Sequence, residues 1–539
     1  MEWKQIYDPI GNIWLSAGVA SLPIILFFVS LVVLKLKGWK AALFTVLLSS
    51  FIAVFVYKMP VVMVFLSFSQ GFMNGLWPIA WIILAAIFLY KLSVKSGYFE
   101  YLKSSVIAIT PDHRIQVILI AYCFGAFLEG AIGFGGPVAI TAALLMGLGL
   151  RPLYAAGLCM IANTAPVAFG AIGIPIIAMS HAVGVDPVSV GAMVGRILPP
   201  ITLFVPFFIV FLMDGMKGVK ETFPVIAIAS VSFAITQYIT SNSIGPELPD
   251  ITSAIVSLVC TTLFLRVWHV KNVFRVKSAD EYTETSLSTK QILLAWIPFI
   301  FLIITVVLWT LPIVKNSLAF STFNISMPYI NGTMIQTAPI VLEDTSIKSV
   351  FKFDLLGSVG TAIFFAAILT IFALKIKPKM AVKAASETVR EMFIPVINIG
   401  LVVAYAYIAK NSAQAATMGL ALSHTGDAFA FFSPIIGWLG VFLTGSDTSS
   451  NLLFGPLQQV TAHQLNIPDI MFLAANSVGG VVGKMISPQS IAVACAAVGL
   501  VGRESELFRF TVKYSILFII AIGVICYIIT HFLPFIIPA

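Results

Sequence analysis

Three ionisable residues lie inside otherwise apolar sequence, where a charge is costly, and each could therefore do chemistry: Glu129, Asp447 and Lys484. Loss of water favours the neutral form of a carboxyl group, so Glu129 and Asp447 are candidates to bind and release a proton. Either carboxylate could instead be structural or cap a helix, an alternative supported at Asp447 by the Thr-Ser-Ser that follows it. Lys484 could pair with Asp447, bind an anionic solute, or extend to a membrane interface.

Hydroxyl and amide side chains are dense around these charges. Such groups hydrogen-bond a small anionic solute that carries hydroxyl groups of its own, whereas a hydrophobic solute would not need them. The candidate binding residues, besides Lys484, are Asn163, Thr164, Ser446, Thr448, Ser449, Asn451, Asn476, Ser477, Ser487 and Gln489. A Gly-rich stretch is expected to present backbone groups at Gly130, Gly133, Gly135 and Gly136.

Motifs of soluble enzymes are missing from the sequence. The stretch Val481-Val-Gly-Lys-Met485 only partly resembles a phosphate-binding loop, because Val478 replaces its first glycine and Met follows the lysine. No H-E-x-x-H occurs, no G-x-G-x-x-G follows a strand, and the cysteines lack C-x-x-C spacing. We therefore predict no enzyme activity, cofactor or metal, and coupling to an ion gradient rather than ATP. Arg151, Arg196 and His181 lie near predicted span ends, where orienting or structural roles are expected.

The elements that position these residues must be membrane helices. The chain has 539 residues, of which 59% are hydrophobic and 10% charged, and its mean hydropathy is +1.02. Soluble domains average roughly 45–50% apolar and about 25% charged residues, so a soluble enzyme, a coiled coil and a disordered chain are excluded. The net charge of +8 comes from Lys and Arg in short connectors, which the positive-inside rule explains without nucleic acid. The sequence predicts an all-α integral protein of a lipid bilayer.

About twelve crossings are predicted, since roughly 20 apolar residues span the hydrocarbon core. Ten are uninterrupted apolar runs, at 13–34, 41–57, 76–92, 188–212, 223–239, 251–268, 292–314, 355–374, 393–409 and 510–529. Two more, 153–183 and 469–498, are broken by Asn, Gly and Pro. With the basic connectors near 35–40, 91–103, 266–290 and 375–383 in the cytoplasm, both termini and a surface loop at 315–352 face outward. The first run is expected to be a retained span rather than a signal peptide.

Two interrupted segments are predicted to be re-entrant hairpins. The first has short helices at 115–128 and 138–148 around Glu129-Gly-Ala-Ile-Gly-Phe-Gly-Gly-Pro137, and the first of these helices covers only about 21 Å. The second has helices at 429–443 and 452–463 around Thr444-Gly-Ser-Asp-Thr-Ser-Ser-Asn451. Each hairpin precedes a broken crossing, with breaks predicted at 162–166 and 475–479. Non-helical backbone at membrane depth must be buried in protein or line a cavity, so both hairpin tips should face one site.

An internal repeat relates the two halves of the chain. Gly125-Ala-Phe-Leu-Glu-Gly130 recurs as Gly440-Val-Phe-Leu-Thr-Gly445, an offset of 440 − 125 = 315, and Gly170 matches Gly483 at 313. The predicted domains are repeat 1 at 77–213, repeat 2 at 393–531, N-terminal scaffold spans at 1–76 and connecting scaffold spans at 214–392. The charge rule orients the repeats oppositely, and inverted repeats with broken helices are typical of secondary transporters. The alternative is an old duplication retained only for packing.

Four stretches resemble the bacterial L-lactate permease family. They are Gly125-Ala-Phe-Leu-Glu-Gly-Ala-Ile-Gly-Phe-Gly-Gly-Pro137, Ile161-Ala-Asn-Thr-Ala-Pro-Val-Ala-Phe-Gly170, Thr444-Gly-Ser-Asp-Thr-Ser-Ser-Asn451 and Gly483-Lys-Met-Ile-Ser-Pro-Gln-Ser490. The likeness extends over essentially the whole chain. It implies transport of L-lactate, or of glycolate and other 2-hydroxymonocarboxylates, in symport with protons across the bacterial cytoplasmic membrane.

The family is itself similar to a superfamily of ion transporters that use paired hairpins and an elevator-like motion. This likeness implies a moving domain, made of both hairpins and both broken crossings, and a scaffold that is often a homodimer. In the expected mechanism, lactate binds at the hairpin tips and unwound segments while Glu129 or Asp447 is protonated. A sodium-coupled carrier of another small carboxylate and an anion channel remain alternatives, although broken-helix repeats argue against a channel.

Overall fold

The computed structural model describes residues 2–34, 36–107, 109–133, 136–276, 288–341, 343–501 and 503–538, and over these ranges the chain is mainly helical. The elements in chain order are β1 (Trp3–Lys4), α1 (Ile13–Phe28), α2 (Gly38–Phe55), α3 (Val61–Asn74), α4 (Trp81–Lys95), α5 (Tyr98–Ile107), α6 (His113–Val117), α7 (Gly125–Ala131), α8 (Gly136–Gly147), α9 (Pro152–Ala162), α10 (Gly170–Val183), α11 (Pro187–Ile197), α12 (Pro199–Ser243), α13 (Pro249–Leu265), α14 (Thr289–Thr310), α15 (Pro312–Leu318), β2 (Thr322–Ser326), β3 (Met334–Gln336), β4 (Thr345–Ser346), β5 (Val350–Asp354), α16 (Val359–Ala373), α17 (Pro378–Asn411), α18 (Gln414–Ser423), α19 (Phe429–Thr444), α20 (Asp447–Gln464), α21 (Asp469–Gly483), α22 (Pro488–Ala497) and α23 (Glu504–Phe532). Short π-helical stretches, at Val29–Val33, Gly75–Ala80 and Ile118–Phe124, continue α1, join α3 to α4 and join α6 to α7.

Within the described part of the chain, fewer helices have the length and apolar character of a membrane crossing than the sequence predicts. In the described ranges, ten helices are long and apolar enough to cross a membrane, or eleven if the bent pair Pro152–Ala162 and Val167–Val183 forms one crossing. This corrects the prediction of about twelve. The run predicted at 223–239 belongs to the 45-residue helix α12, which is interrupted at Asp214 and Gly215. Helices α13 and α16 have only 17 and 15 residues.

Glycines let the helices around α17 approach one another closely. Helix α17 packs against α2, α3 and α4. A Cβ atom added at Gly71 or Gly75 would lie 2.6 Å from the Cα atoms of Ala404 and Gly400, respectively, so a larger residue would force α3 and α17 apart. A second group of helices forms around α19, α20 and α21, with α10, α18 and α23 packed against it. The division into scaffold and repeat domains stays a prediction.

The connector at 315–352 is folded rather than an irregular loop. Within it, β2 pairs with β5 in antiparallel register from Thr322 and Asp354 to Ser326 and Val350. Strand β3 pairs with β4 in antiparallel orientation and with β1 in parallel orientation. The connector is therefore a small β-structured unit that includes the N-terminal residues.

Candidate functional site

The first interrupted segment is a buried helix followed by a sharp turn. Helix α6, a π-helical stretch and α7 continue into one another, and the 19 residues are fully buried and cover about 28 Å, more than the predicted helix at 115–128. Glu129 and Gly130 therefore lie in the last turn of α7 rather than in a loop, and Gly136 begins α8. Gly133 has a φ of +65° in the turn. The remaining predicted glycine, Gly135, lies outside the described residues.

The second turn is tighter than predicted. Helix α20 begins at Asp447, so two residues, Gly445 and Ser446, replace the predicted tip at 444–451. The polar residues that follow are consequently helical. Ser446 is the N-cap, since its Oγ accepts a hydrogen bond from the backbone N–H of Ser449 at 3.2 Å. Asp447 is therefore not the helix cap, and the Asp447 carboxylate is free to make other contacts.

The first broken crossing begins where the sequence predicts, at 162–166. Helix α9 ends at Ala162, and a turn and a 3-10 segment lead into α10 with a bend of 67°. The irregular backbone continues through Ala171, Ile172 and Gly173, whose φ angles are +46°, +59° and +70°. Non-glycine residues adopt such angles only where the surrounding structure compensates for the strain, and such positions cluster at functional sites.

The second break does not lie where the sequence predicts. Helix α21 continues through 475–479, and the helix becomes irregular only at Lys484, the first residue of a 3-10 turn before α22. The side chain of Asn476 does not compete for its own backbone because it is bonded to α20. Its Oδ1 accepts from Gln458 Nε2 at 3.0 Å, and its Nδ2 donates to Asn451 Oδ1 at 2.9 Å. The prediction of unwound backbone at this position is wrong.

Lys484 and Glu129 form a buried ion pair that joins the two halves of the chain. Lys484 Nζ lies 2.5 Å from Glu129 Oε1, and the two side chains are 10% and 2% exposed. The partner of Lys484 is thus Glu129 rather than Asp447. Glu129 Oε2 is buried and has no hydrogen-bond partner in the described ranges. Because breaking a buried pair leaves an uncompensated charge, an anionic ligand that binds Lys484 would have to replace Glu129 as its partner.

Asp447 is buried near this pair but has different partners. Its Oδ2 accepts hydrogen bonds from Ser477 Oγ at 2.9 Å and from Asn451 Nδ2 at 3.4 Å. Its Oδ1 is buried without a hydrogen-bond partner in the part of the chain that the structure describes. Asn451 Nδ2 also lies 3.2 Å from the Pro175 carbonyl oxygen, which it can reach as a donor. Asn451, Asn476 and Ser477 therefore form a polar layer that supports Asp447.

A cavity of about 80 Å³, here called the central cavity, lies between the two turns and the two breaks. It has room for roughly five water-sized groups, which suits a small organic anion. The predicted residues that line it are Glu129, Gly133, Ser446, Asp447, Thr448, Lys484 and Gln489. A larger cavity of about 440 Å³, here called the vestibule, shares Ser446, Thr448 and Gln489 with it, is also lined by Ser449, and extends to the exposed Lys37.

Several predicted binding residues do not line the central cavity. Thr164 donates a hydrogen bond to the carbonyl of Ile161 at 2.6 Å, and Ser487 caps α22 by accepting from the N–H of Ser490 at 3.2 Å. Asn163 is the buried C-cap residue of α9. Also outside the lining are Gly130, Gly136, Asn451, Asn476 and Ser477.

Sequence reasoning missed three residues at this site. Ser490 and Gly170 line the central cavity, and a Cβ atom added at Gly170 would lie 3.0 Å from Glu129 Oε1. Both are the last residues of stretches that resemble the family, which was an available signal. Asp250 is fully buried and packs against Gly130, the residue that follows Glu129. It precedes an apolar run and so resembles the ordinary polar start of a span.

Fold and site together define a multi-pass helical membrane protein whose charged cavity lies between helix breaks, an arrangement typical of membrane transporters. Among the described residues, no group of three or more His, Cys, Asp or Glu is placed to hold a metal ion. The family model described as L-lactate permease matches residues 16–533. The chain belongs to the L-lactate permease family.

Known proteins are similar over nearly the whole chain. The L-lactate permease of Escherichia coli (strain K12) is 54% identical over 99% of this chain and 100% of that protein. Glycolate permease GlcA of the same organism is 53% identical over 97% of each. Among solved structures, that of the Alcanivorax borkumensis YdaH transporter covers 85% of this chain and 87% of its own, with 14% identity and a TM-score of 0.44. The family and these permeases are not enzymes, and the chain is a multi-pass protein of the bacterial inner membrane.

Proposed function

We propose that the chain is a secondary active transporter that carries L-lactate, and related 2-hydroxymonocarboxylates such as glycolate, in symport with protons. The names of the related permeases support this substrate class. One observation carries the coupling: the buried ammonium group of Lys484 faces a cavity of suitable size and is held there by a carboxylate, Glu129, that a proton can neutralise.

In the proposed binding step, the carboxylate of lactate replaces Glu129 as the partner of Lys484. An ammonium group in a low-dielectric cavity interacts strongly with a carboxylate, and the N-terminus of α20 adds a partial positive charge nearby. The lactate hydroxyl then bonds to Ser446, Thr448 or Gln489, which line the same cavity. This role for polar side chains separates a 2-hydroxy acid from an acid without the hydroxyl group.

In the proposed coupling step, the displaced Glu129 takes up one proton. Its carboxylate would otherwise be buried without a counter-ion, which is strongly unfavourable. One lactate anion and one proton together add no net charge, so the loaded site has the same charge as the empty one. Asp447 is the second candidate for the proton, because its Oδ1 is also buried without a partner in the described ranges.

In the proposed transport step, both turns and both broken crossings move together as one body against a scaffold that includes α17 and the helices packed on it. This elevator-like step, the inverted repeats and a homodimeric scaffold remain part of the proposal. The meeting of both turns and both breaks at one cavity supports it.

Uptake into proteoliposomes tests the proposed function. Purified protein is reconstituted with an alkaline lumen, and radiolabelled L-lactate is added outside under an inward proton gradient or an inward sodium gradient. We expect accumulation to approach about tenfold per pH unit for one proton per lactate, which is the ratio set by the free energy of the gradient. The sodium gradient alone should give no accumulation.

A matched variant controls for damage to the protein in this assay. Glu506→Gln removes a carboxylate from the exposed ion pair with Arg503 and should leave uptake unchanged. Uptake that ignores the pH gradient but follows the sodium gradient would contradict proton symport and support the sodium-coupled alternative. Flux that does not saturate with lactate concentration would support a channel.

A further inference from the structure

Asp250 packs against the helix that carries Glu129, at the neighbouring residue Gly130. It is in the first turn of α13, after Pro249, and is 0% exposed. It packs on Gly130, the residue that follows Glu129, so closely that a Cβ atom added there would lie 2.7 Å from Asp250 Cβ. Asp250 does not line the central cavity, so a substrate has no direct access to it.

The carboxyl group of Asp250 lacks the donors that a buried carboxylate ion requires. In the described ranges neither of its oxygens makes an ordinary hydrogen bond, although the amide of Gln237 lies beside it. Glu129 Oε2, the free oxygen of the ion pair, is also without a partner in those ranges. Buried charges that are neither paired nor hydrogen-bonded are very unfavourable, so a proton on this pair of carboxyl groups would lower the cost of burying them.

A count of buried charges points the same way. Among the described residues, Glu129, Asp447 and Asp250 supply three carboxyl groups around the ammonium group of Lys484. With all of them ionised, this buried region would have a net charge of −2, which a low-dielectric environment does not tolerate. In the part of the chain that the structure describes, the other groups near Asp250, from the elements packed against α13 and the preceding loop, are Tyr122, Cys123, Gln237 and Glu247; none adds a positive charge, and Glu247 is a further carboxyl group.

Resting on the proposed function, we propose that Asp250 and Glu129 form a carboxyl pair that shares the transported proton. Asp250 acts through Glu129 as a positioning residue and does not touch the substrate. The pair holds one proton while Lys484 contacts Glu129; when lactate pairs with Lys484, the pair binds a second proton, which is released when lactate leaves and Lys484 returns to Glu129. No covalent bond other than the O–H bond forms or breaks in this step.

The experiment compares Asp250→Asn, which keeps the shape but cannot ionise, with Asp250→Glu, which keeps the carboxyl group. Asp186→Asn is the matched control, because Asp186 also lies next to a proline at the start of a helix but is exposed and serves as its N-cap. Each variant is reconstituted and assayed for lactate exchange at equal pH on both sides, for the dependence of exchange on pH, and for accumulation under a proton gradient.

For Asp250→Asn we expect exchange within about threefold of wild type, a flattened pH profile, and accumulation reduced at least about tenfold. Asp250→Glu should retain accumulation with a shifted pH profile, and Asp186→Asn should match wild type in all three measurements. A merely structural role would lower exchange and accumulation in parallel without changing the pH profile, and that result in both Asp250 variants would overturn the inference.

The wild-type data separate this inference from the proposed function. If wild-type vesicles do not accumulate lactate under a proton gradient, the proposed function itself fails. If wild type is proton-coupled and Asp250→Asn has the same accumulation and the same pH profile, only the role of Asp250 is overturned.

Discussion

At the scale of single residues, the proposed coupling of lactate to a proton depends on the Glu129–Lys484 ion pair. A charge inside apolar sequence is energetically costly. This cost was enough to predict functional roles for Glu129, Asp447 and Lys484. It could not predict the pairing, since the partners lie 355 positions apart and approach only through the packing of two halves of the chain. Asp250 was missed because its burial depends on α7 and α13 packing at Gly130, which no local pattern reveals.

Lys484→Met should abolish uptake and destabilise the protein by about 3–5 kcal/mol, because Glu129 is left buried without its counter-ion. The double variant Lys484→Met, Glu129→Gln should recover most of that stability while remaining inactive. Thermal unfolding in detergent, together with uptake, measures both effects. A double variant no more stable than Lys484→Met would contradict the ion pair as described.

Thr448→Val should weaken binding of lactate about tenfold, the loss expected when a hydrogen bond of roughly 1–1.5 kcal/mol is removed. Propionate, which lacks the 2-hydroxyl group, should bind equally to the variant and to wild type. Competition against radiolabelled lactate measures both affinities. Thr530→Val is the control, since the Thr530 hydroxyl bonds to its own helix at the Cys526 carbonyl. Equal loss for lactate and propionate would show that Thr448 does not contact the hydroxyl.

At the scale of elements, the positions of the helix breaks separate what sequence can predict from what it cannot. Pro166 and the nearby Gly170 and Gly173 make the first break predictable. Proline removes a helical hydrogen bond, and glycine permits positive φ. The Asn-Ser pair at 476–477 resembles a second break, but these side chains bond to α20 and Asp447 and the helix continues. The observed second irregularity begins at Lys484, which corresponds to Ala171 at the repeat offset of 484 − 171 = 313.

Gly479→Ala should destabilise the protein by about 1–3 kcal/mol, because an added Cβ atom would overlap the Pro434 carbonyl where α19 crosses α21. Gly18→Ala is the matched helical control: no atom outside its own helix lies within 4 Å of the added Cβ, so the unfolding temperature should stay the same or rise slightly. Thermal unfolding in detergent compares the two. Equal stability of Gly479→Ala and wild type would mean that α19 and α21 do not cross this closely.

At the scale of the whole molecule, the vestibule indicates the side of the membrane to which the central cavity opens. It extends from Ser446 and Thr448 to Lys37, which belongs to a connector placed in the cytoplasm by the positive-inside rule. Composition predicted a helical membrane protein securely. Fewer helices than predicted have the length of a crossing because α13 and α16 are short, and because the runs on either side of the interruption at Asp214 and Gly215 belong to one 45-residue element.

Ser449→Cys, placed in a background without the native cysteines, should react with a charged thiol reagent added from the cytoplasmic side, because Ser449 lines the vestibule. Lactate should slow the reaction several-fold, because it fills the adjoining cavity and favours movement of the site. The rate of labelling in right-side-out and inside-out vesicles measures the direction. Faster labelling from the outer side would contradict this orientation of the described state.

The central claim is that one proton moves with each lactate through the Glu129–Lys484 site. Its most direct measurement records proton flux, with a pH-sensitive dye in the vesicle lumen, and radiolabelled lactate flux in the same proteoliposomes. We expect a ratio close to one in wild type and no coupled proton flux in Glu129→Gln. Lactate flux without proton flux in wild type, or an unchanged ratio in Glu129→Gln, would contradict it.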